Sequence, residues 1–330
     1  MKQEHKDQVQ AAVDALRARF AVGKVKNFYF VACGGSQATM MPIQYMFDRE
    51  TPIPSFIYTA NEFNYAKPKA FGPESVVITV SHSGTTPETV AAAQTATDCG
   101  ALSIAFSNVV DSPLWKAAGY PIHYDHGPET DMTDRNNAVL YDLAFSILTI
   151  IDPDQAARWE QGVADIDKVD GACKATWDIY REVAESFATA NKRAPLIYTM
   201  GSGVNYGEMY SLTSCLFMEM QWIHSNAIHS GEYFHGPFEV TDYDVPFVIA
   251  LSCGVTRHLD ERALAFAKKF SERLLVFDEE KFDFNGIDES LHEYFAQWIL
   301  GVTVRSFVDK LAHDRGHALS VRRYMWQMEY

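Results

Sequence analysis

Cysteine is sparse and scattered in this chain of 330 residues: Cys33, Cys99, Cys173, Cys215 and Cys253 stand far apart, and no two form a Cys-x-x-Cys pair. That leaves neither a disulfide framework nor a zinc ribbon, and five small thiols in mostly apolar stretches suit a reducing cytoplasm. No apolar run approaches the roughly 18 residues that a membrane-crossing helix needs. Positive charge is in deficit, with 28 Lys and Arg against 43 Asp and Glu, a formal net charge of −15. Such a surface repels phosphate backbones and anionic lipid, so nucleic acid and membrane are not expected as partners. The N-terminal stretch MKQEHKDQVQAAVDALRARF has charges throughout. It lacks the apolar core of a signal peptide and reads as an amphipathic helix.

What is there is ordinary globular material, 47% hydrophobic and 22% charged, in a length that suits two domains. Apolar runs at 28–32, 54–58, 76–80, 102–106 and 122–124 alternate with helical stretches near 37–49, 86–98 and 133–151. This is βαβ rhythm, and runs that are apolar on both faces suit a parallel sheet covered by helices on each side. The pattern breaks at Asp152-Pro153-Asp154 and resumes with strand-like runs at 196–200, 223–228, 246–251 and 274–277 and a long helix near 288–312. The fold class is therefore α/β, divided as an N-terminal helix over 1–24, a first domain over 25–153, a helical linker over 154–192 and a second domain with a C-terminal tail over 193–330.

Three stretches carry candidate chemistry. In Ala32-Cys33-Gly34-Gly35-Ser36-Gln37 a strand meets two glycines and a serine before a helix. Gly35 permits close backbone approach, and the helix start with the Ser36 hydroxyl favours a phosphate, although ordinary strand-to-helix turns use the same residues. In Val80-Ser81-His82-Ser83-Gly84-Thr85-Thr86-Pro87-Glu88 another apolar strand ends in four hydroxyls. Ser81, Ser83, Thr85 and Thr86 can bind an anion without any arginine. The plainer reading is a capping box, with Thr85 as N-cap and Glu88 three residues later.

The third stretch, 218–239, packs three histidines and three glutamates into one span. Glu219 sits near the end of an apolar helix expected over 206–220, where desolvation suits a carboxylate to act as a base. His235 precedes Gly236-Pro237 at a turn and titrates near neutrality. The spacing of His224, His229 and His235 matches no standard metal motif, so no metal is expected there, and His224 and His229 read as structural.

Taken together, Cys-Gly-Gly-Ser, Ser-His-Ser-Gly-Thr-Thr-Pro-Glu-Thr, Phe-Met-Glu-Met-Gln-Trp-Ile-His-Ser, Gly-Glu-Tyr-Phe-His-Gly-Pro-Phe-Glu and Arg322-Arg323-Tyr324-Met325-Trp326 resemble the sugar isomerase (SIS) family. The likeness is greatest to its bacterial fructosamine-6-phosphate deglycases and extends to the isomerase half of glucosamine-6-phosphate synthase. The resemblance implies two tandem SIS domains, each a flavodoxin-like three-layer αβα sandwich. It implies that Ser36, Ser81, Ser83 and Thr86 bind a sugar phosphate and that Gly35 and His82 line the pocket. It also implies that Glu219 and His235, sixteen residues apart as in the family, are base and acid. His235 would reach across a homodimer interface into the partner's site. The chain has Leu216 where the synthase places a pocket lysine, and its tail lacks the synthase's ring-opening lysine, which argues against amino-sugar synthesis.

The implied reaction is cleavage of a fructosamine 6-phosphate to glucose 6-phosphate and an amine in the cytoplasm, with no cofactor. Two alternatives stand beside it. An aldose–ketose phosphate isomerase shares the proton transfer, and a sugar-phosphate sensor shares the binding, although about 25 residues before the first strand are too few for a helix-turn-helix domain. The loop 127–134 is expected either to cover the substrate or simply to cap a helix. Tyr324 to Tyr330 are expected to tuck into the site or into a dimer interface.

Overall fold

The computed structural model describes residues 1–329, and the chain divides into two compact units, 1–167 and 168–329. In the first, β1 (Asn27–Ala32), β2 (Ser55–Thr59), β3 (Ser75–Val80), β4 (Leu102–Ser107) and β5 (Tyr120–His123) pair in parallel in the order β2-β1-β3-β4-β5. Every residue of β1, β3 and β4 is buried, which is why these runs are apolar on both faces. Because successive strand residues point to opposite faces, Phe28 and Phe30 pack edge-on against Phe47 of α2 (Gly34–Glu50). Tyr29 and Val31 face the other way, into a cluster with Phe63 of α3 (Ala60–Tyr65) and with Ala92 and Ala96 of α4 (Pro87–Asp98).

Helix α1 (Gln3–Phe20) packs on α6 (Asn136–Ile151) and β5, while α5 (Pro113–Ala117) lies beside α4. The stretch expected as a linker is divided between the units. Helix α7 (Ala156–Asp165) packs on α6, and α8 (Val169–Asn191) packs along α11 (His292–Arg315) in the second unit. The break falls between Asp167 and Lys168, because both helices are amphipathic and each buries its apolar face on the nearest core.

The second unit holds β6 (Tyr198–Gly201), β7 (Ala227–His229), β8 (Phe247–Leu251) and β9 (Leu274–Asp278), all parallel, in the order β7-β6-β8-β9. The strand expected over 223–228 is only Ala227–His229. Before it, Trp222 turns into the left-handed region at φ 55° and His224 makes an isolated bridge to Leu196. Helix α10 (Arg257–Phe270) buries Ala263, Leu264 and Ala267 against the apolar β8. Helix α9 (Tyr206–Ser211) continues as a π-helix over Leu212–Gln221 where an unbroken α-helix was expected.

Candidate active site

The strand order β2-β1-β3-β4-β5 reverses direction between β1 and β3, and open parallel sheets bind ligands beyond the carboxyl ends of strands at that point. Val31 pairs with Thr79 in the register of these two strands. Residues 33–36 and 81–86 therefore leave the same sheet edge from neighbouring strands. In the first loop Gly34 takes φ 55°, and Gly35 and Ser36 form the first turn of α2. Cys33, the N-cap, offers no side-chain bond to that turn, and the Ser36 hydroxyl has no hydrogen bond to any described residue.

In the second loop the four hydroxyls form two pairs. Ser81 Oγ meets Thr86 Oγ1 at 2.9 Å, and Ser83 Oγ meets Thr85 Oγ1 at 2.7 Å. The capping box is absent: α4 starts at Pro87 with Thr86 as N-cap, and the Thr86 hydroxyl is turned toward Ser81 instead of toward the helix amides. Glu88 is thus the second helical residue, too early to reach back to the cap. Gly84 makes the turn at φ 65°, and a Cβ there would collide with the hydroxyls of Ser112 and Ser107. Two helix N-termini without side-chain caps, flanked by hydroxyls, make a cradle with the chemistry to hold an anion without a charged side chain.

Sequence reasoning missed the wall beside this cradle. His82 Nδ1 lies 3.0 Å from the hydroxyl of buried Tyr124, and its ring meets His126 edge-on at 4.6 Å between centroids. Although much of His82 is exposed, these rings strip water from its imidazole and lower its proton affinity, and a charge on His126 would lower it further. Tyr124 and His126 follow β5, two strand positions from β3 in the sheet, and nothing local in the sequence links them to residue 82.

The loop 127–134 is pinned rather than a helix cap. Arg135 donates to the carbonyls of Thr130 and Gly127 at 3.1 and 3.3 Å, and the Asp134 carboxylate accepts from the Lys2 amide at 2.6 Å. Close by, His5, His123 and Asp125 hold possible ligand atoms within 4.8 Å of one another. The Lys2 ammonium already sits 2.6 Å from Asp125, so a cation occupies that carboxylate. A cavity of about 860 Å³ lined by Lys24, Asn27 and Ser75 lies at the amino-terminal edge of this sheet, away from the hydroxyls.

In the second unit Glu219 lies on the π-helix, a geometry of wider i→i+5 turns that is common at functional sites. It borders a cavity of about 790 Å³ together with Ser214, Met218, Trp222, His224, Arg322 and Tyr324. Tyr324 and Met325 of the C-terminal segment line the same cavity; Tyr330 lies outside the described residues. Arg322, which carried no expected role, donates to Glu219 Oε1 from Nε at 2.9 Å, and its Nη2 lies in an ion pair 2.7 Å from the same oxygen.

Another missed acid is Glu208 on α9. Burial pushes its carboxyl up to about 8, and it stands beside Gly301 of α11, where a side chain would crowd it. Cys215 lies near both glutamates, and burial first, then their charges, push its thiol up to about 11. His235 is exposed, with its backbone amide bonded to the Glu232 carbonyl. Its ring makes no hydrogen bond or ring contact with any described residue, and no hydrogen bond or ion pair joins it to Glu219. His229 accepts from the Gly231 amide at 3.1 Å and packs near Tyr206, while His224 borders the cavity.

A parallel α/β sheet with hydroxyl-lined turns at its switch point is the architecture of a ligand-binding α/β domain, and the SIS domain model matches residues 23–150. The chain belongs to the SIS family. It is 45% identical over 324 residues to the fructosamine deglycase FrlB of Bacillus subtilis, covering 98% of this chain and 97% of that one. It is 27% identical over 302 residues to fructoselysine 6-phosphate deglycase of Escherichia coli, covering 91% and 85%. Among solved structures, a Bacillus subtilis protein described as a phosphosugar isomerase superposes with a TM-score of 0.94 at 44% identity, over the whole of both chains.

Proposed function

We propose that this chain is a fructosamine-6-phosphate deglycase, a cytoplasmic hydrolase of two tandem SIS domains that works as a homodimer. The observation that carries this reading is the 45% identity to a fructosamine deglycase across nearly the whole of both chains. The geometry supports it with an uncharged anion cradle in one unit and a carboxylate bordering a cavity in the other.

The cradle of Gly35, Ser36, Ser81, Ser83 and Thr86, with His82 beside it, takes the 6-phosphate. Glu219 abstracts a proton from C1 of the ketosamine, giving the enaminol, and returns it to C2, giving the C1 imine. Water adds to that imine, and breakage of the C1–N bond releases the amine and glucose 6-phosphate. His235 from the partner subunit supplies the acid, protonating the oxygen as the ring opens.

Incubation of the purified protein with a set of fructosamine 6-phosphates, followed by a coupled dehydrogenase assay, tests this. Glucose 6-phosphate should appear with an equal amount of free amine. Interconversion of fructose and glucose 6-phosphates with no amine release from any adduct would replace the reading by an isomerase, and binding without turnover by a sensor.

A further inference from the structure

The segment after α11 is built to hold one side chain. Gly316 leaves the helix at φ 62°, and the Gln221 side chain at the end of the π-helix donates to the His317 carbonyl at 2.8 Å. Arg315 returns a bond to the Gln221 carbonyl at 3.1 Å. A few residues on stands Arg322, its side chain only 6% exposed. Its Nη1 donates to the carbonyls of Leu319 and Val321 at 2.7 and 3.0 Å, and its guanidinium lies over Trp326. The remaining edge, Nε and Nη2, converges on the single oxygen Oε1 of Glu219. No described residue bonds the other oxygen.

We infer that Arg322 is a positioning residue for the base, holding the Glu219 carboxylate by one oxygen so that the other is presented to the substrate carbon. This rests on the proposed role of Glu219. An arginine that shut the base off would form the two-oxygen fork that guanidinium and carboxylate prefer; here the pair is one-sided, and the guanidinium is itself fixed by backbone carbonyls. A lysine could not reproduce this, because it lacks the planar edge with two converging donors.

The test compares wild type, Glu219→Gln, Arg322→Ala and Arg322→Lys in turnover of a fructosamine 6-phosphate and in exchange of its C1 proton with D2O, with thermal midpoints recorded. Arg322→Ala should lose about 10²-fold in kcat and in C1 exchange while KM stays within about threefold, since misplacement of a reacting group acts on the chemical step. Arg322→Lys, which keeps the charge, should recover only part of the loss, and millimolar guanidinium should restore Arg322→Ala in part. An unchanged or raised kcat in Arg322→Ala, with Glu219→Gln inactive, would overturn this inference alone. An active Glu219→Gln would overturn the role of Glu219 and this inference with it.

Discussion

The Ser81 and Thr86 hydroxyls meet at 2.9 Å across the turn between β3 and α4. Thr86 is the N-cap of α4, yet its oxygen is spent on Ser81, and no side chain caps the helix start. The pair therefore costs the helix a cap that would ordinarily contribute about 1 kcal/mol, and leaves the first amides of α4 open to an anion. Replacing Ser81 by Ala should raise KM for the sugar phosphate roughly tenfold or more with little change in kcat, because uniform binding is lost. Inorganic phosphate should weaken in parallel as a competitive inhibitor. A normal KM would place the phosphate elsewhere.

Glu219 is tested most cleanly by an isosteric change. Glu219→Gln retains the shape and one acceptor for Arg322 while removing the base, so turnover should fall by about 10²- to 10⁴-fold. Substrate affinity, read by calorimetry, should be largely kept.

The first unit was legible because its strands obey one rule throughout: β1, β3 and β4 are buried on both faces and so apolar without alternation. The hydroxyl turns were legible because they interrupt such runs. In the second unit the signals are weaker. The π-helix at Leu212–Gln221 uses the same residue types as an α-helix, and α10 shows its core little more than the small side chains Ala263 and Ala267 with Leu264. Tyr124 and Arg322 stand 42 and 103 residues from His82 and Glu219; only the fold brings them together, and no spacing rule encodes it.

Burial of Glu279 gives the fold a definite pH dependence. This carboxyl is wholly buried behind β9 and accepts from the Cys253 amide at 2.9 Å. Burial, with a smaller push from Asp260 against the hydrogen bonds, raises it from 4.5 to about 8. A carboxyl raised on folding stabilises fully below its unfolded value of 4.5, and this contribution is lost as pH rises toward the folded value, because only the unfolded chain ionises over that window. Between pH 5 and pH 8 the loss amounts to roughly 3 kcal/mol. Glu279→Gln, which keeps an acceptor for Cys253 and cannot ionise, should gain on wild type by about that amount over the same interval in urea unfolding. Parallel curves for the two proteins would mean that Glu279 is ionised in the fold.

His235 decides the assembly. Its ring is exposed and has no hydrogen-bond or ring partner among the described residues, while Glu219 is half-buried beside Arg322; a site made within one chain would require the two to meet there. If two-fold symmetry carries His235 of each protomer to the Glu219 of the other, each site draws on both chains. Glu219→Gln and His235→Ala homodimers should then each be nearly inactive. A heterodimer of the two combines both lesions in one site and leaves the other site with a native pair. Mixing equal amounts under conditions that exchange subunits should therefore restore about a quarter of wild-type turnover, half the dimers being mixed and one site in each being whole. A mixture no more active than its parents, with exchange verified by mass, would place His235 and Glu219 of the same chain in one site and remove the requirement for a dimer.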